Sequence, residues 1–342
     1  MTLFYSDYLE GAHPRILERL AETNLMQTPG YGEDSICEEA RDLVRSVCRA
    51  EHADVHFLVG GTQANATVIS SILKPYQGVL CASSGHINVH ETGAIEHSGH
   101  KVLPLAATNG KIEASQIREA MESHYQDPSA EHIVQPGMVY ISFPTELGTI
   151  YSKEELTEIR KVCSDWELPL FIDGARLGYG LEASDCNLLL KDFATIADVF
   201  YIGGTKQGAL FGEAVVICND KLKKDFRYNI KQNGGMLAKG RLLGIQFKAL
   251  FEDDLYFRLS RKADRQAERI AEAFRSRGYG FLVQNHTNQV FPILPEEVER
   301  ELSKDFGFEL WQKVDAHHNA VRFCTSWATT DEAVDLLISR LP

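Results

Sequence analysis

Short runs of consecutive apolar residues alternate with helix-like segments along most of the chain. The clearest runs are GVLCA at 78–82, GMVYISF at 137–143, LPLFID at 168–173, DVFYIGG at 198–204 and GEAVVIC at 212–218. Because these runs are continuous rather than alternating with polar residues, they are typical of strands buried on both faces of a parallel or mixed sheet. The rhythm therefore predicts an α/β fold.

Two capping patterns mark the starts of predicted helices in the first half of the chain. Ser35 and Glu38 have the spacing of a capping box before an amphipathic stripe over 35–49. Ser152 and Glu155 repeat that spacing. Both segments are therefore predicted to be helices that connect strands.

The pattern changes near Gly240. Residues 239–277 are mostly helical in character. They are followed by NQVFPIL, a polar helix at 295–305, AVRFCTSW at 320–327, and a last helix capped by Thr329 and Glu332. This order predicts a smaller strand–helix domain that begins within a few residues of Gly240.

Charge and cysteine content restrict the partners of the chain. Among 342 residues, 35 are Lys or Arg and 48 are Asp or Glu, so the net charge is −13. Such acidity disfavours nucleic acid and anionic membranes, and no run approaches the roughly 18 apolar residues of a membrane span. The N-terminus lacks a signal-peptide pattern, and the seven cysteines are scattered without a CxxC pair. We therefore expect a cytoplasmic protein with no nucleic-acid or membrane partner, no disulfide framework and no metal site.

Two candidate functional segments directly follow predicted strands, where ligands bind in open α/β sheets. Gly60-Gly61-Thr62 precedes a helix whose free N–H groups could hold a phosphate, although an ordinary strand–helix turn has the same pattern. Asp173 ends an apolar strand and Arg176 follows it. This pair is either a helix-capping aspartate with a surface arginine, or a buried carboxylate that faces a cation such as a protonated ring nitrogen.

A third segment contains a lysine. Lys206 lies in the glycine-flanked loop GGTKQG after a predicted buried strand. It is either a solvated loop lysine or a desolvated one with a lowered pKa, which suits an imine-forming nucleophile. Together, a phosphate cup, a strand-end acid and a loop lysine are what pyridoxal 5′-phosphate requires. The combination predicts this cofactor.

Several motifs resemble those of fold type I pyridoxal-phosphate enzymes, in the low-specificity L-threonine aldolase and β-eliminating lyase group. They are Ser6-Asp7, Gly11-Ala12-His13-Pro14, Tyr31-Gly32-Glu33-Asp34, Gly60-Gly61-Thr62-Gln63-Ala64-Asn65, Ile172-Asp173-Gly174-Ala175-Arg176, Lys206, and Arg322 in VRFCTSW. The resemblance covers nearly the whole chain. It implies a mostly parallel central sheet with helices on both faces and a smaller C-terminal α+β domain. The implied divisions are an N-terminal arm (1–12), a large cofactor-binding domain (13–240) and a small domain (241–342).

The resemblance also implies how the cofactor is held. Lys206 would carry it as a covalent aldimine, Asp173 would keep the pyridine nitrogen protonated, and Arg176 would hydrogen-bond the 3′-oxygen. His86 would stack on the ring near the substrate hydroxyl and act as the catalytic base, although a lone histidine is more often structural. The phosphate would be held by Gly60, Gly61, Thr62 and Thr205.

The implied substrate is a small amino acid. Arg322 would bind its α-carboxylate through a forked contact, with Ser6 assisting. His90, one helical turn after His86, and Thr145 would lie near the substrate. Tyr31 would also contact the substrate. Tyr31 and the N-terminal arm are candidates to cross a subunit interface, because enzymes of this type usually build their sites from two subunits. A homodimer or homotetramer with shared active sites is therefore expected.

Two segments depart from the family pattern. Many members have Thr-His-Asn after the strand at 137–143, whereas this chain reads Phe143-Pro144-Thr145-Glu146 and lacks that histidine. The family's Gly-Gly-Met-Arg-Gln motif is altered here to GGMLA at 234–238. An expected arginine is therefore absent, and Lys231 or Lys239 is a candidate to replace it. Both departures suggest a divergent branch, with a different β-substituent on its substrate.

Three functions follow from this reading. The first is a lyase that cleaves the Cα–Cβ bond of L-3-hydroxy-α-amino acids, such as threonine, allo-threonine or phenylserine, to glycine and an aldehyde. The second is β-elimination, which releases ammonia and a keto acid, with Lys206 as the base at Cα. The third is a scaffold without activity, which the presence of the lysine, the aspartate and the arginine disfavours.

Overall fold

The computed structural model describes residues 1–342 and has a seven-stranded sheet at its centre. The strands of this sheet are β2 (Asp54–Leu58), β3 (Gln77–Ala82), β4 (Lys101–Leu105), β5 (Gln135–Ser142), β6 (Leu170–Asp173), β7 (Val199–Gly203) and β8 (Glu213–Ile217). The first strand of the chain, β1 (Thr2–Leu3), lies outside this sheet. The spatial order within the sheet is β2-β8-β7-β6-β5-β3-β4. Strand β8 is antiparallel to both neighbours and the other pairs are parallel, so the predicted α/β class is confirmed.

The direction of the strands brings the candidate segments to one edge of the sheet. Strands β2, β6 and β7 end at Leu58, Asp173 and Gly203, directly before or within the three segments singled out from the sequence. Strand β8 runs the opposite way, and its first residue, Glu213, is opposite both Leu58 and Gly203. The start of β8 therefore lies at the same edge as the ends of its neighbours.

Helices cover both faces of this sheet and create two apolar cores. They are α1 (Pro14–Glu22), α2 (Ser35–Cys48), α3 (Gly61–Ile72), α4 (His86–Val89), α5 (Ala94–His97), α6 (Ala114–Gln126), α7 (Lys153–Asp165), α8 (Leu177–Glu182), α9 (Leu190–Ile196), α10 (Phe226–Gln232) and α11 (Arg241–Phe251). Along β7, Phe200 and Ile202 belong to one core, and Val199 and Tyr201 belong to the other. Both faces of the strand are buried, which explains its continuous apolar sequence.

The helix starts differ slightly from the predicted ones. Helix α2 is capped by Asp34, whose Oδ1 accepts from the Cys37 N–H at 2.9 Å, and Ser35 is already the first helical residue. The predicted capping box at Ser152 is confirmed. The last helix, which spans Asp331–Arg340, is capped by Thr330 rather than by Thr329. In each shifted case the neighbouring oxygen-bearing side chain reaches the free N–H group instead.

The C-terminal part forms a smaller unit around its own core. It contains α12 (Leu255–Arg275), α13 (Glu296–Leu302), α14 (Asp331–Arg340), β9 (Gln289–Val290), β10 (Ile293–Pro295), β11 (Phe306–Gly307), β12 (Glu309–Lys313) and β13 (His318–Cys324). The N-terminal arm joins this unit, because β1 pairs with β11 and Phe4 packs against Phe323. None of the helices has the length and apolar content needed to cross a membrane.

One long helix belongs to both units. The first part of α12 contributes Leu255 and Leu259 to the core of the large unit, and its later part contributes Ile270 and Phe274 to the core of the small one. The larger core therefore extends past the predicted boundary at Gly240.

Candidate active site

A cavity of about 260 Å³ lies at the edge of the sheet where the candidate segments meet. Nine of the residues singled out from the sequence line it, namely Gly60, Gly61, Thr62, His86, Thr145, Asp173, Arg176, Thr205 and Lys206. They come from different strand ends, and the parallel arrangement of the strands brings them together.

Asp173 is a buried carboxylate held by neutral donors. The phenol groups of Tyr140 and Tyr201 donate to its two oxygens, and Asn65 Nδ2 donates to Oδ2 at 3.1 Å. Burial alone would raise the pKa of Asp173, but the proximity of His86 and these hydrogen bonds lower it below its ordinary value. The cavity therefore has a buried negative charge that no lysine or arginine neutralises by direct contact.

The N-terminus of α3 faces the same cavity. Helix α3 begins at Gly61 after an extended Gly60, and no side chain caps its first turn. A Cβ atom at Gly60 would meet no atom within 4 Å, so the space in front of the helix is open. Uncapped N–H groups and the positive end of a helix dipole form an anion site.

Lys206 follows β7 in a short 3₁₀ turn and lines the cavity. Burial and the neighbouring Arg176 lower the pKa of its ammonium group below the ordinary value. Arg176 is itself held by Asp7 through two hydrogen bonds, at 2.7 and 3.0 Å. Burial disfavours the Asp7 charge, but Arg176 outweighs this effect and lowers the pKa of Asp7 to about 2. The site therefore combines a fixed guanidinium with a lysine that loses its proton readily.

His86 is connected to Asp173 through a chain of hydrogen bonds. Its Nδ1 lies 2.8 Å from Glu91 Oε1, which also accepts from Asn65 Nδ2 at 2.7 Å, and Asn65 reaches Asp173. Burial lowers the pKa of His86, but the Glu91 hydrogen bond and the Asp173 charge outweigh it and raise that pKa above its ordinary value. Because Nδ1 faces Glu91, Nε2 is the ring nitrogen available for proton transfer.

Glu146 stands near the strand end where the family histidine is absent. Its Oε1 accepts from Ser142 Oγ at 2.6 Å and from the backbone N–H of His86 at 2.9 Å. Burial raises the pKa of this carboxyl group. A carboxyl group with a raised pKa therefore lines the cavity beside His86 in this chain.

Four other predicted residues lie outside the lining of this cavity. Ser6 is buried in the N-terminal arm, and His90 is exposed with its ring 5.5 Å from that of His86. Tyr31 lines a second pocket beside the altered GGMLA segment, and Lys231 Nζ lies 5.1 Å from its ring centre. The substrate roles of these residues stay predictions.

Arg322, the fourth of them, is engaged by groups from neighbouring strands and from the arm. It forms an ion pair with Glu309, its Nη1 donates to Gln289 Oε1 at 3.0 Å, and its Nη2 donates to the Tyr5 carbonyl at 3.0 Å. The guanidinium also lies 5.2 Å from the Trp311 ring centre. The guanidinium of Arg322, which is predicted to bind the substrate carboxylate, is therefore already paired with the carboxylate of Glu309.

The donor set fits pyridoxal 5′-phosphate. The cavity offers an anion site at α3, an ionised aspartate that suits a protonated ring nitrogen, a buried arginine, and a lysine with a lowered pKa. These are the groups that this cofactor needs for its phosphate, its ring and its aldehyde carbon.

Sequence reasoning did not single out several residues that shape the site. Tyr140 and Tyr201 lie inside apolar runs and look like core residues, while Asn65 and Glu91 carry no local signal of their contact with each other. Asp7 and Asn65 belong to motifs that carry the family resemblance, but the sequence predicts no individual role for either. No pattern in the sequence marks this network, because α3 reads GTQANATVISSI and contains several other polar residues besides Asn65.

A sheet of this topology, with this donor set around one cavity, defines a fold type I enzyme that depends on pyridoxal phosphate. The chain belongs to the beta-eliminating lyase family, whose family model matches residues 4–297. The family resemblance and the fold class expected from the sequence are both confirmed.

Three similar proteins show which enzymes this chain resembles. A low specificity L-threonine aldolase from Pseudomonas aeruginosa is 30% identical over 334 residues, which is 97% of this chain and 94% of the relative. The structure of Leishmania major threonine aldolase matches with a TM-score of 0.97 and 41% identity, over 100% of this chain and 98% of that one. An aspartate aminotransferase from Thermus thermophilus, at 15% identity and a TM-score of 0.72, covers 99% of this chain and 90% of its own and shares the fold.

Proposed function

We propose that this chain cleaves the Cα–Cβ bond of L-3-hydroxy-α-amino acids to glycine and an aldehyde, with pyridoxal 5′-phosphate attached to Lys206. One observation carries the proposal: Lys206, the ionised Asp173 and the His86–Glu91 pair line or adjoin a single cavity. The 41% identity to a threonine aldolase along the whole chain supports it. When bound, the cofactor accepts the electron pair of the broken bond.

Lys206 and Asp173 would prepare the cofactor for this role. A lowered pKa leaves a larger share of Lys206 as the free amine, which is the form that attacks an aldehyde carbon. Asp173 keeps its charge because two phenols and an amide donate to it, so it can hold a proton on the pyridine nitrogen. Burial favours the free amine of Lys206, whereas the charge of Asp173 persists against burial because of these hydrogen bonds and the nearby His86.

His86 is the proposed base for the β-hydroxyl proton. Glu91 orients the ring through Nδ1, so Nε2 would take the proton. The hydroxyl oxygen then becomes the carbonyl oxygen of the aldehyde product. Because the pKa of His86 is raised, its neutral form, which acts as the base, becomes available at a higher pH than for an ordinary histidine.

The remaining predicted residues would bind the substrate or the cofactor phosphate. Arg322 would take the α-carboxylate once Glu309 leaves it, and Ser6, His90 and Thr145 would lie around the substrate. Gly60, Gly61, Thr62 and Thr205 would hold the phosphate at the start of α3.

Product analysis tests the function. Purified protein with added pyridoxal phosphate is incubated with L-allo-threonine, L-phenylserine and a β-chloro amino acid, and each product is quantified. Glycine with an equal amount of aldehyde is the expected result. A Lys206→Ala variant should lose both covalent attachment of the cofactor and turnover; retention of both would contradict the proposal.

One observation favours β-elimination as the second candidate. Glu146, with its raised pKa, replaces the family histidine and could protonate a leaving group at the β-carbon. Ammonia and a keto acid without glycine would establish this alternative. A Glu146→Gln variant should then lose elimination more strongly than it loses cofactor binding.

We also propose a homodimer or homotetramer with shared sites. Tyr31 is exposed and lies in a pocket separate from the cavity of its own chain, so it could act only on the site of another subunit. Mixing inactive Lys206→Ala and Tyr31→Ala proteins should restore activity through hybrid sites. No restoration, together with a monomeric mass in solution, would contradict sharing.

A cytoplasmic location is the last part of the proposal. Five of the seven cysteines are buried and none is paired. Unpaired thiols in the core suit a reducing compartment.

A further inference from the structure

Glu213 is a buried carboxyl group that lines the cavity together with the N-terminus of α3. None of the proposed functions uses it. It is the first residue of β8, opposite Leu58 of β2 and Gly203 of β7. These two strands lead into the Gly60 turn and the Lys206 turn. The Glu213 side chain lines the cavity with both turns, and the residue is only 4% exposed.

The two oxygens of Glu213 are in different situations. Oε1 accepts a hydrogen bond from Thr205 Oγ1 at 3.1 Å, and this hydroxyl in turn accepts from the Gly212 N–H at 3.0 Å. Oε2 is buried and has no hydrogen-bond partner. A buried oxygen in a cavity without a partner costs free energy unless a ligand or a proton satisfies it.

The charged and titratable groups that face Glu213 belong to β6, β7, the loop after β7, and α12. Lys206 is the cation on the loop after β7, Asp173 is the anion at the end of β6, and Tyr201 and Tyr256 are neutral phenols of β7 and α12. Burial raises the pKa of Glu213 to about 8, although Lys206 opposes this rise. Burial therefore favours the protonated form of this carboxyl group.

A protonated carboxyl group and an ionised one would act oppositely on a phosphate. The protonated group is a hydrogen-bond donor, whereas the ionised group repels the dianion. Thr205 and the N-terminus of α3 surround the same space and favour an anion there.

We propose that Glu213 is protonated when the cofactor is bound and donates a hydrogen bond to an oxygen of the cofactor phosphate at the N-terminus of α3. The inference rests on the proposed cofactor site and adds a residue to it. Ionisation of Glu213 converts this donor into a neighbouring negative charge, so the cofactor binds less tightly at alkaline pH.

Cofactor binding measured without turnover tests this role. Apoprotein is titrated with pyridoxal phosphate over a pH series that begins below a pKa of about 8 and extends well above it. Lys206→Ala is the background for all variants, so that the titration of Lys206 does not contribute. Because the Lys206 charge opposes the rise in the Glu213 pKa, this background should raise that pKa further. We expect the affinity to fall by up to about tenfold for each pH unit above that pKa, the limit for one ionisation.

Two variants separate the Glu213 effect from general changes. Glu213→Gln keeps a donor that cannot ionise, so it should bind as tightly as the parent at low pH and lose the Glu213-dependent fall. Asp264→Asn is the matched control, because Asp264 is also a buried carboxyl group with a raised pKa but does not line the cavity. It should keep the parental pH profile.

Two further probes show which part of the cofactor is sensed. Pyridoxal, which lacks the phosphate, should bind with the same pH profile to the parent and to Glu213→Gln. The ³¹P resonance of bound pyridoxal phosphate should shift with the Glu213 ionisation in the parent and not in Glu213→Gln.

Three outcomes would overturn the inference. Identical pH profiles for Glu213→Gln and the parent would show that Glu213 does not act on the phosphate. Tighter binding by Glu213→Gln at every pH would show that Glu213 is ionised throughout and only repels the phosphate. Absence of pyridoxal phosphate binding to the unsubstituted protein at every pH would instead refute the proposed function itself.

Discussion

At the scale of single residues, Asp173 shows how neighbours create a charge that burial alone would suppress. Tyr140 and Tyr201 approach it from the adjacent strands β5 and β7, one to each carboxylate oxygen. Hydrogen bonds to an ionised group are about twice as strong as those between neutral groups. The strand order β5-β6-β7 is thus part of the chemistry of the site.

The first prediction concerns one of these phenols. Tyr201→Phe should raise the pKa of Asp173 and lower kcat/KM by roughly 10- to 150-fold, because one hydrogen bond to a charged group contributes about 1.5–3 kcal/mol. Steady-state kinetics with L-allo-threonine measure the effect. Tyr151→Phe, which removes another buried phenol but lies outside the cavity lining, should leave kcat/KM nearly unchanged.

The second prediction concerns the pH dependence of the base. Glu91 stabilises the imidazolium form of His86 and so raises its pKa. Glu91→Gln should lower that pKa, and the acid limb of the kcat/KM profile should move to lower pH, because the free base then persists at lower pH. Glu96→Gln, an exposed change in the same stretch, is the control and should leave the limb in place. An unmoved limb in Glu91→Gln would exclude His86 as the group that sets it.

At the scale of elements, β12 and β13 place a competitor beside the predicted carboxylate site. Glu309 is opposite Arg322 in the antiparallel pair, and the two side chains form an ion pair. An incoming substrate carboxylate would have to replace Glu309 before it could bind Arg322 through a fork.

The third prediction follows from this competition. Glu309→Gln should lower the KM for the amino acid several-fold and leave kcat unchanged, because it weakens only the group that the substrate displaces. Initial rates over a substrate series measure both constants. Glu296→Gln removes another exposed carboxylate of the small unit, one that faces Lys313, and should change neither constant. An increased KM in Glu309→Gln would mean that Glu309 helps to bind the substrate.

The elements also show what could be predicted from the sequence. The turns after β2, β6 and β7 carry glycines and polar residues next to apolar runs, so their shared edge was predictable. Glu213 was not, because it begins an apolar run and an isolated sequence does not show that β8 is antiparallel. The contact of Glu309 with Arg322 depends on register, which the sequence does not reveal.

At the scale of the whole molecule, Asp7 joins three parts of the chain. It lies in the N-terminal arm, binds Arg176 of the large unit, and accepts from Asn288 Nδ2 of the small unit at 2.9 Å. Both charged side chains of the pair are largely buried. Loss of one partner would leave the other charge without compensation.

The fourth prediction is therefore a stability loss in Asp7→Asn. The free energy of unfolding should fall by about 3–5 kcal/mol, as expected when one partner of a buried pair is removed. Chemical denaturation with a spectroscopic readout measures it. Asp305→Asn, which removes a surface partner 3.9 Å from Arg340, should stay within about 0.5 kcal/mol of the parent.

The same residue sets a pH dependence of stability. The pKa of Asp7 in the folded protein, about 2, lies below its ordinary value of 3.8. Its contribution is therefore complete above pH 3.8 and is lost as the pH falls through about 2. Asp7→Asn should show none of this loss.

The placement of the arm has a consequence for the order in which a growing chain acquires its structure. The Tyr5 carbonyl accepts from Arg322, a residue 317 positions further along, and β1 pairs with β11. On a ribosome, the arm emerges long before β11 and β13, so it must wait for those strands before it docks. Arg176 receives its Asp7 partner in its native setting only then, so a nascent chain that stalls before β13 would contain Lys206 but not a finished pocket.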